Sequence, residues 1–325
     1  MILAGDIGGT NSRLAIYDAE LNKRHEAVTK NQGRAGLSGI VREFLAAAPA
    51  ELRRIDRACF GVAGPVANGR VTPTNLTWHL DERTLSAELG VPKVALINDL
   101  VAHAEGIEVL KPQHFLTIHA GEPVARGNRA VIAAGTGLGE AGLVWEPGIS
   151  GYRAFASEGG HADFCPRTDR DVALLRYVQQ TKGLATWERV LSGPGLRRIY
   201  DFLITPAQLG PSAAMPGPDP TPEAIAAAAA DRSSRAAVEA METFVRFYGS
   251  ESGNLALKLL ANGGIYLSGG IAIGIVEQLR SPLFLDALHD KGPDKLRAVI
   301  AKMPVYLVTY EKCALAGAAN FARRL

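Results

Sequence analysis

The sequence predicts an α/β fold built from two related halves, on three observations. An apolar run, Ile2-Leu3-Ala4, enters the glycine turn Gly5-Asp6-Ile7-Gly8-Gly9-Thr10-Asn11-Ser12-Arg13, and a second apolar run, Leu14-Ala15-Ile16-Tyr17-Asp18, leaves it. Near mid-chain the pattern recurs: Val131-Ile132-Ala133-Ala134 runs into Gly135-Thr136-Gly137-Leu138-Gly139-Glu140-Ala141-Gly142, then Leu143-Val144-Trp145. Apolar strands and helical segments follow one another along the rest of the chain.

The first unit reads as strand, glycine loop, strand, because its exit is short, apolar and without 3.6-residue spacing. That separates it from dinucleotide and Walker-type loops, in which the glycine turn opens a helix and phosphate sits on the helix N-terminus. Gly8 and Gly9 can aim backbone N–H groups at an anion with no Cβ in the way. Asp6 beside them is suited to a hydrated Mg²⁺, which keeps its waters and takes few protein carboxylates. The same residues would also serve an ordinary hairpin whose Asp and Thr cap the turn.

In the second unit Gly137, Gly139 and Gly142 spell G-x-G-x-x-G, but Pro147-Gly148 ends the segment before any helix, so the dinucleotide reading fails. Two glycine hairpins suggest two halves that grip a polyphosphate from opposite sides.

With 325 residues the prior is two domains. The 47% hydrophobic and 21% charged content is that of a soluble globular protein. A net charge of +2 argues against nucleic acid or an anionic membrane as partner. Cys59, Cys165 and Cys313 are scattered, which excludes a disulfide framework and a cysteine-rich zinc site. The N-terminus lacks a basic region followed by an apolar core, and no apolar run reaches membrane-spanning length. A cytoplasmic enzyme is expected, and the sequon Asn75-Leu76-Thr77 then arises by chance.

In chain order, Leu37 to Ala48 reads as a helix ended by Pro49, and Arg57 to Val66 as a buried strand entering a Gly-Pro turn. Thr84 to Leu89 is a short helix stopped by Gly90. Lys93 to Ile97 is a strand that delivers Asn98-Asp99 to its carboxyl end, where ligands of open α/β sheets gather, before a helix from Leu100 to Gly106. Either residue would also cap that helix. Leu110-Lys111-Pro112 marks the crossing between halves. Beyond the second hairpin, Glu158-Gly159-Gly160-His161 sits on a turn, where hydrogen bonding to a polar small molecule fits better than zinc. Asp169 to Gln180 is an amphipathic helix, and a helix begun at Trp187 breaks at Gly193-Pro194-Gly195. Pro206, Pro211, Pro216, Pro218, Pro220 and Pro222 mark an exposed loop. A long helix runs from about Pro222 to about Tyr248, and Ser252 to Leu260 continues helical. Gly264 to Ser268 is a strand meeting the Gly269-Gly270 pair, a third place for backbone to approach a nucleotide. Met303 to Tyr310 is a late strand, and Ala314 to Phe321 a closing helix with one small face.

Taken together, Gly5 to Arg13, Leu96-Ile97-Asn98-Asp99, Gly135 to Gly139, Glu158 to Phe164, Glu188-Arg189-Val190-Leu191-Ser192-Gly193-Pro194-Gly195-Leu196 and Leu267-Ser268-Gly269-Gly270-Ile271 stand in the order found in bacterial glucokinases, and the chain resembles that family over nearly its whole length. The resemblance implies two ribonuclease-H-like, actin/hexokinase-type α/β domains around a central cleft: residues 1–111 with 312–325, and residues 112–311. It implies ATP-dependent phosphorylation of D-glucose to glucose 6-phosphate, with ATP and Mg²⁺ as cofactors. Asp99 resembles the catalytic base and Asn98 its sugar-binding neighbour. Glu158, His161 and Glu188 resemble residues holding glucose hydroxyls. Asp6, Gly8, Gly9, Thr10 and Asn11 resemble the first phosphate loop, with Asp6 on the metal. Gly135, Thr136, Gly137 and Gly139 resemble the second loop, and Gly269-Gly270 the adenosine motif.

Three positions depart from the family pattern: Ala133 replaces a glycine, Glu140 an apolar residue that would keep charge away from triphosphate, and Pro293 the arginine of Asp-Lys-Gly-Arg. A transcriptional regulator of this fold would need a helix-turn-helix ahead of Asp6, and zinc-bearing sugar kinases a cysteine-rich motif where Cys165 stands alone. A broad-specificity hexose or amino-sugar kinase is the remaining alternative. These motifs do not fix oligomeric state, a homodimer being one form they allow.

Overall fold

The computed structural model describes residues 1–73, 76–215 and 219–325; Asn75 of the sequon and Pro216 and Pro218 of the proline-rich loop lie outside the described residues. The chain separates into two compact units. One comprises Met1–Phe115, Ala141–Ala156 and Tyr310–Leu325, the other Leu116–Glu140 and Ser157–Thr309.

In the first unit, β1 (Ile2–Ile7), β2 (Asn11–Tyr17), β3 (Lys23–Lys30), β4 (Arg57–Val62) and β7 (Lys93–Asn98) form a sheet of order β3-β2-β1-β4-β7; β5 (Arg70–Val71) and β6 (Leu80–Asp81) pair separately. The first glycine unit is an antiparallel hairpin with Asp6 opposite Arg13, while β1, β4 and β7 run parallel. Alternation assigns the faces. Leu3, Ile7, Leu14 and Phe60 pack on one side, and the smaller Ala4, Ala15 and Cys59 on the other, with the closing helix Cys313–Arg323. The helices are α1 (Leu37–Ala47), α2 (Glu82–Leu89) and α3 (Asp99–Ile107).

The closing helix, whose one small face suits close packing, lies against α3. A Cβ on Gly317 would stand 1.8 Å from the Ala102 carbonyl, and one on Gly106 2.3 Å from that of Cys313, so both backbones demand glycine. Strand β3 carried no sequence signal, because an edge strand rich in Lys, Arg and Glu shows little apolar alternation.

In the second unit, β8 (Phe115–His119), β9 (Arg129–Ala134), β12 (Gly264–Ser268) and β13 (Val305–Val308) stand in the order β9-β12-β13-β8. Strands β10 (Leu138–Glu146) and β11 (Gly151–Ser157) have their remaining residues counted with the first unit. The helices are α4 (Asp169–Lys182), α5 (Trp187–Val190), α6 (Gly193–Leu203), α7 (Pro222–Ala230), α8 (Arg235–Leu259), α9 (Gly270–Gly274), α10 (Val276–Leu279), α11 (Pro282–His289) and α12 (Asp294–Ala301).

Two expectations are corrected here. Gly193-Pro194-Gly195 starts a helix instead of breaking one: Ser192 caps it, its Oγ accepting from the Gly195 N–H at 3.0 Å, and Pro194 occupies the first turn, where its missing N–H costs nothing. The long helix from Pro222 is two helices. Arg232 takes a left-handed φ of 59°, and Ser234 recaps the chain by accepting from the Ala237 N–H at 3.2 Å. The helix α8 then runs unbroken through Ser252 to Leu259, and Gly249 and Gly253 let it lie against the carbonyls of Phe284 and Leu288. No helix among the described residues is long and apolar enough to cross a membrane.

Candidate active site

In the first unit, parallel register puts two predicted groups on one sheet edge. Ile7 aligns with Val62 and Val62 with Asn98, so the first glycine loop and Asn98-Asp99 leave the same carboxyl edge. Two inter-strand spacings, about 10 Å, separate their strands. Gly61 on the intervening strand lets α3 come down: a Cβ there would lie 2.8 Å from that of Ala102 and 3.9 Å from Asp99 Cα.

Asn98 is the N-cap of α3, its Oδ1 accepting from the N–H groups of Leu100 (2.9 Å) and Val101 (3.3 Å) while Nδ2 donates to the Gly64 carbonyl at 3.2 Å. Its amide therefore retains one N–H for a ligand. Asp99 is half-buried on the first helical turn, and its Oδ1 accepts from the Leu100 N–H at 2.9 Å.

The first loop is braced by a residue that sequence reasoning missed. Buried Asn31 donates from Nδ2 to the Gly8 carbonyl at 2.7 Å, accepts at Oδ1 from Ser12 Oγ at 2.7 Å, and donates its backbone N–H to the Thr10 carbonyl at 2.8 Å. The Gly8 N–H closes the turn onto the Asn11 carbonyl at 3.0 Å. The N–H groups of Gly9 and Thr10 are left without an acceptor among the described residues, and the Asn11 side chain is exposed. Burial raises the Asp6 carboxyl above its ordinary value, and the nearby charges of His103 and Arg13 oppose that rise. His103, one helical turn beyond Asp99, is itself pushed down by burial. The i, i+4 spacing of Asp99 and His103 on one helix face was the available signal.

In the second unit three sequence-distant segments are tied together. Gly135 donates to the Gly137 carbonyl and Gly193 to the Gly135 carbonyl, both at 2.8 Å. Glu188 Oε2 accepts from the Leu138 N–H at 3.1 Å, and a Cβ on Gly137 would stand 2.5 Å from it. Trp187 donates its N–H to the Ala162 carbonyl at 3.0 Å, and Phe164 to that of Ala185 at 3.0 Å. The short helix α5 thus links the second glycine loop, through Glu188, to the turn carrying Glu158 and His161, through Trp187.

That turn explains its double glycine: a Cβ on Gly160 would lie 2.1 Å from the Leu138 carbonyl, and one on Gly159 1.9 Å from Glu140 Oε2. Glu158 and His161 are exposed, with Glu158 Oε2 and His161 Nε2 3.9 Å apart. The N–H groups of Thr136 and Gly137 have no acceptor among the described residues. Gly139 lies within β10. Parallel pairing aligns Ser268 with Ala133, so Gly269-Gly270 follows β12 beside the second loop. Gly269 has φ 92°, and a Cβ there would meet the Ala134 carbonyl at 2.9 Å.

Two of the departures have structural explanations. Glu140 turns into the core, 1% exposed, so its carboxyl does not face solvent. Pro293 opens α12, its carbonyl accepting from the Leu296 N–H at 2.8 Å.

A family model described as Glucokinase matches residues 3–325. The chain belongs to the glucokinase family. It is 37% identical to a glucokinase of Nostoc sp., spanning 100% of this chain and 99% of that one, and 35% identical to one of Mesorhizobium japonicum, spanning 99% and 91%. Among solved structures, a glucokinase from an Antarctic psychrotroph superposes with a TM-score of 0.85 at 29% identity, covering 100% of this chain and 99% of that one. A Balamuthia mandrillaris glucokinase in complex with glucose gives 0.79 at 24% identity over 99% and 93%. A ROK-family glucokinase from Streptomyces griseus, in complex with glucose and AMPPNP, gives 0.64 at 20% over 100% and 99%. The fold is the mixed α/β fold of these sugar kinases.

Proposed function

We propose that this glucokinase-family chain transfers the γ-phosphoryl group of ATP to the 6-hydroxyl of D-glucose. The observation that carries the assignment of roles is the tie made by Trp187 and Glu188, which joins a glycine loop with unspent N–H donors to a turn presenting a carboxylate and an imidazole. Phosphoryl transfer needs positioning and charge stabilisation more than covalent chemistry, and this arrangement offers both.

In this reading Glu158, His161, Glu188 and the remaining Asn98 N–H hold sugar hydroxyls. The N–H groups of Gly9, Thr10, Thr136 and Gly137 meet phosphate oxygens, and Gly269-Gly270 lies under the adenosine. Asp99 takes the proton of the attacking hydroxyl, and the Leu100 N–H fixes its carboxyl for that task. Asp6 is the residue that would hold Mg²⁺. Burial disfavours its charged form, and a divalent cation bound there would offset that cost, adding to the effect of the nearby His103 and Arg13. Bound there, the ion would neutralise charge on the transferring phosphates.

The family resemblance further supports two ribonuclease-H-like domains, residues 1–111 with 312–325 and residues 112–311, around a cleft, and a cytoplasmic location; it leaves the oligomeric state open, a homodimer being one form it allows. A coupled assay with ATP against glucose, mannose, galactose and glucosamine tests the function. Glucose should give the highest kcat/KM. Similar values across the panel would replace this reading with a broad hexose or amino-sugar kinase.

A further inference from the structure

Beneath the Glu158–His161 turn lie two carboxyls that the proposed mechanism does not use. Glu140 on β10 is 1% exposed and Glu251 on α8 is 0% exposed. Neither Glu140 oxygen, nor Glu251 Oε1, receives a hydrogen bond from an N–H or hydroxyl among the described residues. The two carboxyls instead face each other at hydrogen-bonding range. A carboxylic acid and a carboxylate can use that geometry, whereas two carboxylates cannot.

The surroundings are polar and ordered. Glu251 Oε2 accepts from Asn254 Nδ2 at 2.7 Å, and Lys258 Nζ stands 3.5 Å from Oε1. Lys291 Nζ donates to Asn254 Oδ1 at 2.7 Å and to Ser250 Oγ at 3.1 Å. On its other side Glu140 Oε2 touches Gly159, where no Cβ would fit. Glu140 is therefore the member of the pair on which this turn rests.

We propose that Glu140 and Glu251 form a positioning pair that shares one proton, and that this proton seats the Glu158–His161 turn for sugar binding. The inference rests on the reading of Glu158 and His161 as hydroxyl-binding residues. With one proton the pair carries a single negative charge, faced by the ammonium groups of Lys258 and Lys291. Removing the proton places two like charges in a buried site, and the side free to yield is the turn at Gly159.

Burial and the neighbouring carboxyl push Glu140 up to about 8, with Lys258 opposing. Glu251 is raised by burial, against Asn254, Lys258 and Lys291. Burial pushes Lys291 down to about 8, so a compensating charge fades over the same interval in which the shared proton leaves.

The test measures two properties from pH 7 to pH 9.5 in the wild-type protein and in Glu140→Gln: glucose KM, and amide hydrogen exchange at residues 157–163 corrected for intrinsic rates. Loss of one controlling proton makes wild-type KM climb toward about tenfold by pH 9, with protection of the turn falling in parallel. Glu140→Gln keeps a donor to Glu251 without the titrating proton, so both profiles should flatten. Should Glu140→Gln fail to fold, Glu251→Gln removes the same proton from the other side. A variant that keeps the wild-type pH profiles, or a flat wild-type exchange profile, overturns the proposal. Glu158→Ala at pH 7 tests the underlying reading separately: unchanged glucose KM there would remove Glu158 from the sugar site, while the exchange profiles would still decide whether the pair seats the turn.

Discussion

The two glycine loops have similar sequences and are held in place by different means. The first, between β1 and β2, leans on one residue: Asn31 spans it with two side-chain hydrogen bonds and one from its backbone N–H. The second, between β9 and β10, is held by backbone bonds from Gly135 and Gly193 and by the Glu188 carboxylate. A loop braced by one amide fails when that amide goes. A loop braced by backbone tolerates side-chain loss, and the proposed function gives its carboxylate brace a second task at the sugar. Glycine spacing identifies a phosphate-type loop and says nothing about what stiffens it.

The largest effect should come from outside both loops and sets the scale for the others. Asp99→Ala should lower kcat by about 10²–10⁴ while leaving glucose binding, measured by calorimetry, largely intact. Near-wild-type turnover would take Asp99 out of the mechanism and leave it as part of the helix start.

Next comes the carboxylate brace. In Glu188→Gln the amide oxygen still accepts from the Leu138 N–H, so thermal stability should hold. The lost charge at a sugar hydroxyl should cost about 1.5–3 kcal/mol in kcat/KM. A drop in stability matching the drop in kcat/KM would make Glu188 a loop brace alone.

Asn31→Ala tests the contrast directly. It strands the buried Ser12 hydroxyl, a loss costing about 1–3 kcal/mol, and the part-buried Gly8 carbonyl, and should lower Tm while raising KM for ATP. If neither moves, the first loop does not depend on its side-chain brace. The smallest change in stability belongs to Gly135→Ala, where an added Cβ meets nothing within 4 Å. Stability should stay within about 0.5 kcal/mol, and a raised KM for ATP would then report phosphate contact free of any folding effect. An unchanged KM would place the phosphates away from Gly135.

Much of the molecule was legible in the sequence wherever one physical pattern dominates. Short apolar runs marked β1, β4, β7, β9 and β12, and the small face of the closing helix suited it to close packing, without saying on which element. The failures share a cause. Charged β3 lies at an edge and buries little, so it leaves no apolar signature. Gly193-Pro194-Gly195 carries residues common to helix ends and helix starts, and the Ser192 cap decides which. Among the proposed site residues, Asp6, Asp99, Glu158 and His161 stood out as polar groups beside glycine turns or a strand end, whereas Glu188 was marked only by the family resemblance. Asn31 and His103 did not stand out, since each gains meaning only from a neighbour in another element.

The sequence by itself determined the alternation of strands and helices, the positions of the loops and the membership of a kinase family, because local pattern and motif order are properties of the chain. Only the tertiary structure decided what Glu140 is. Its place after a phosphate-type loop suggested a charge that would repel nucleotide. The fold turns it inward against Glu251, where burial and a second carboxyl, both brought from far along the chain, favour the protonated form.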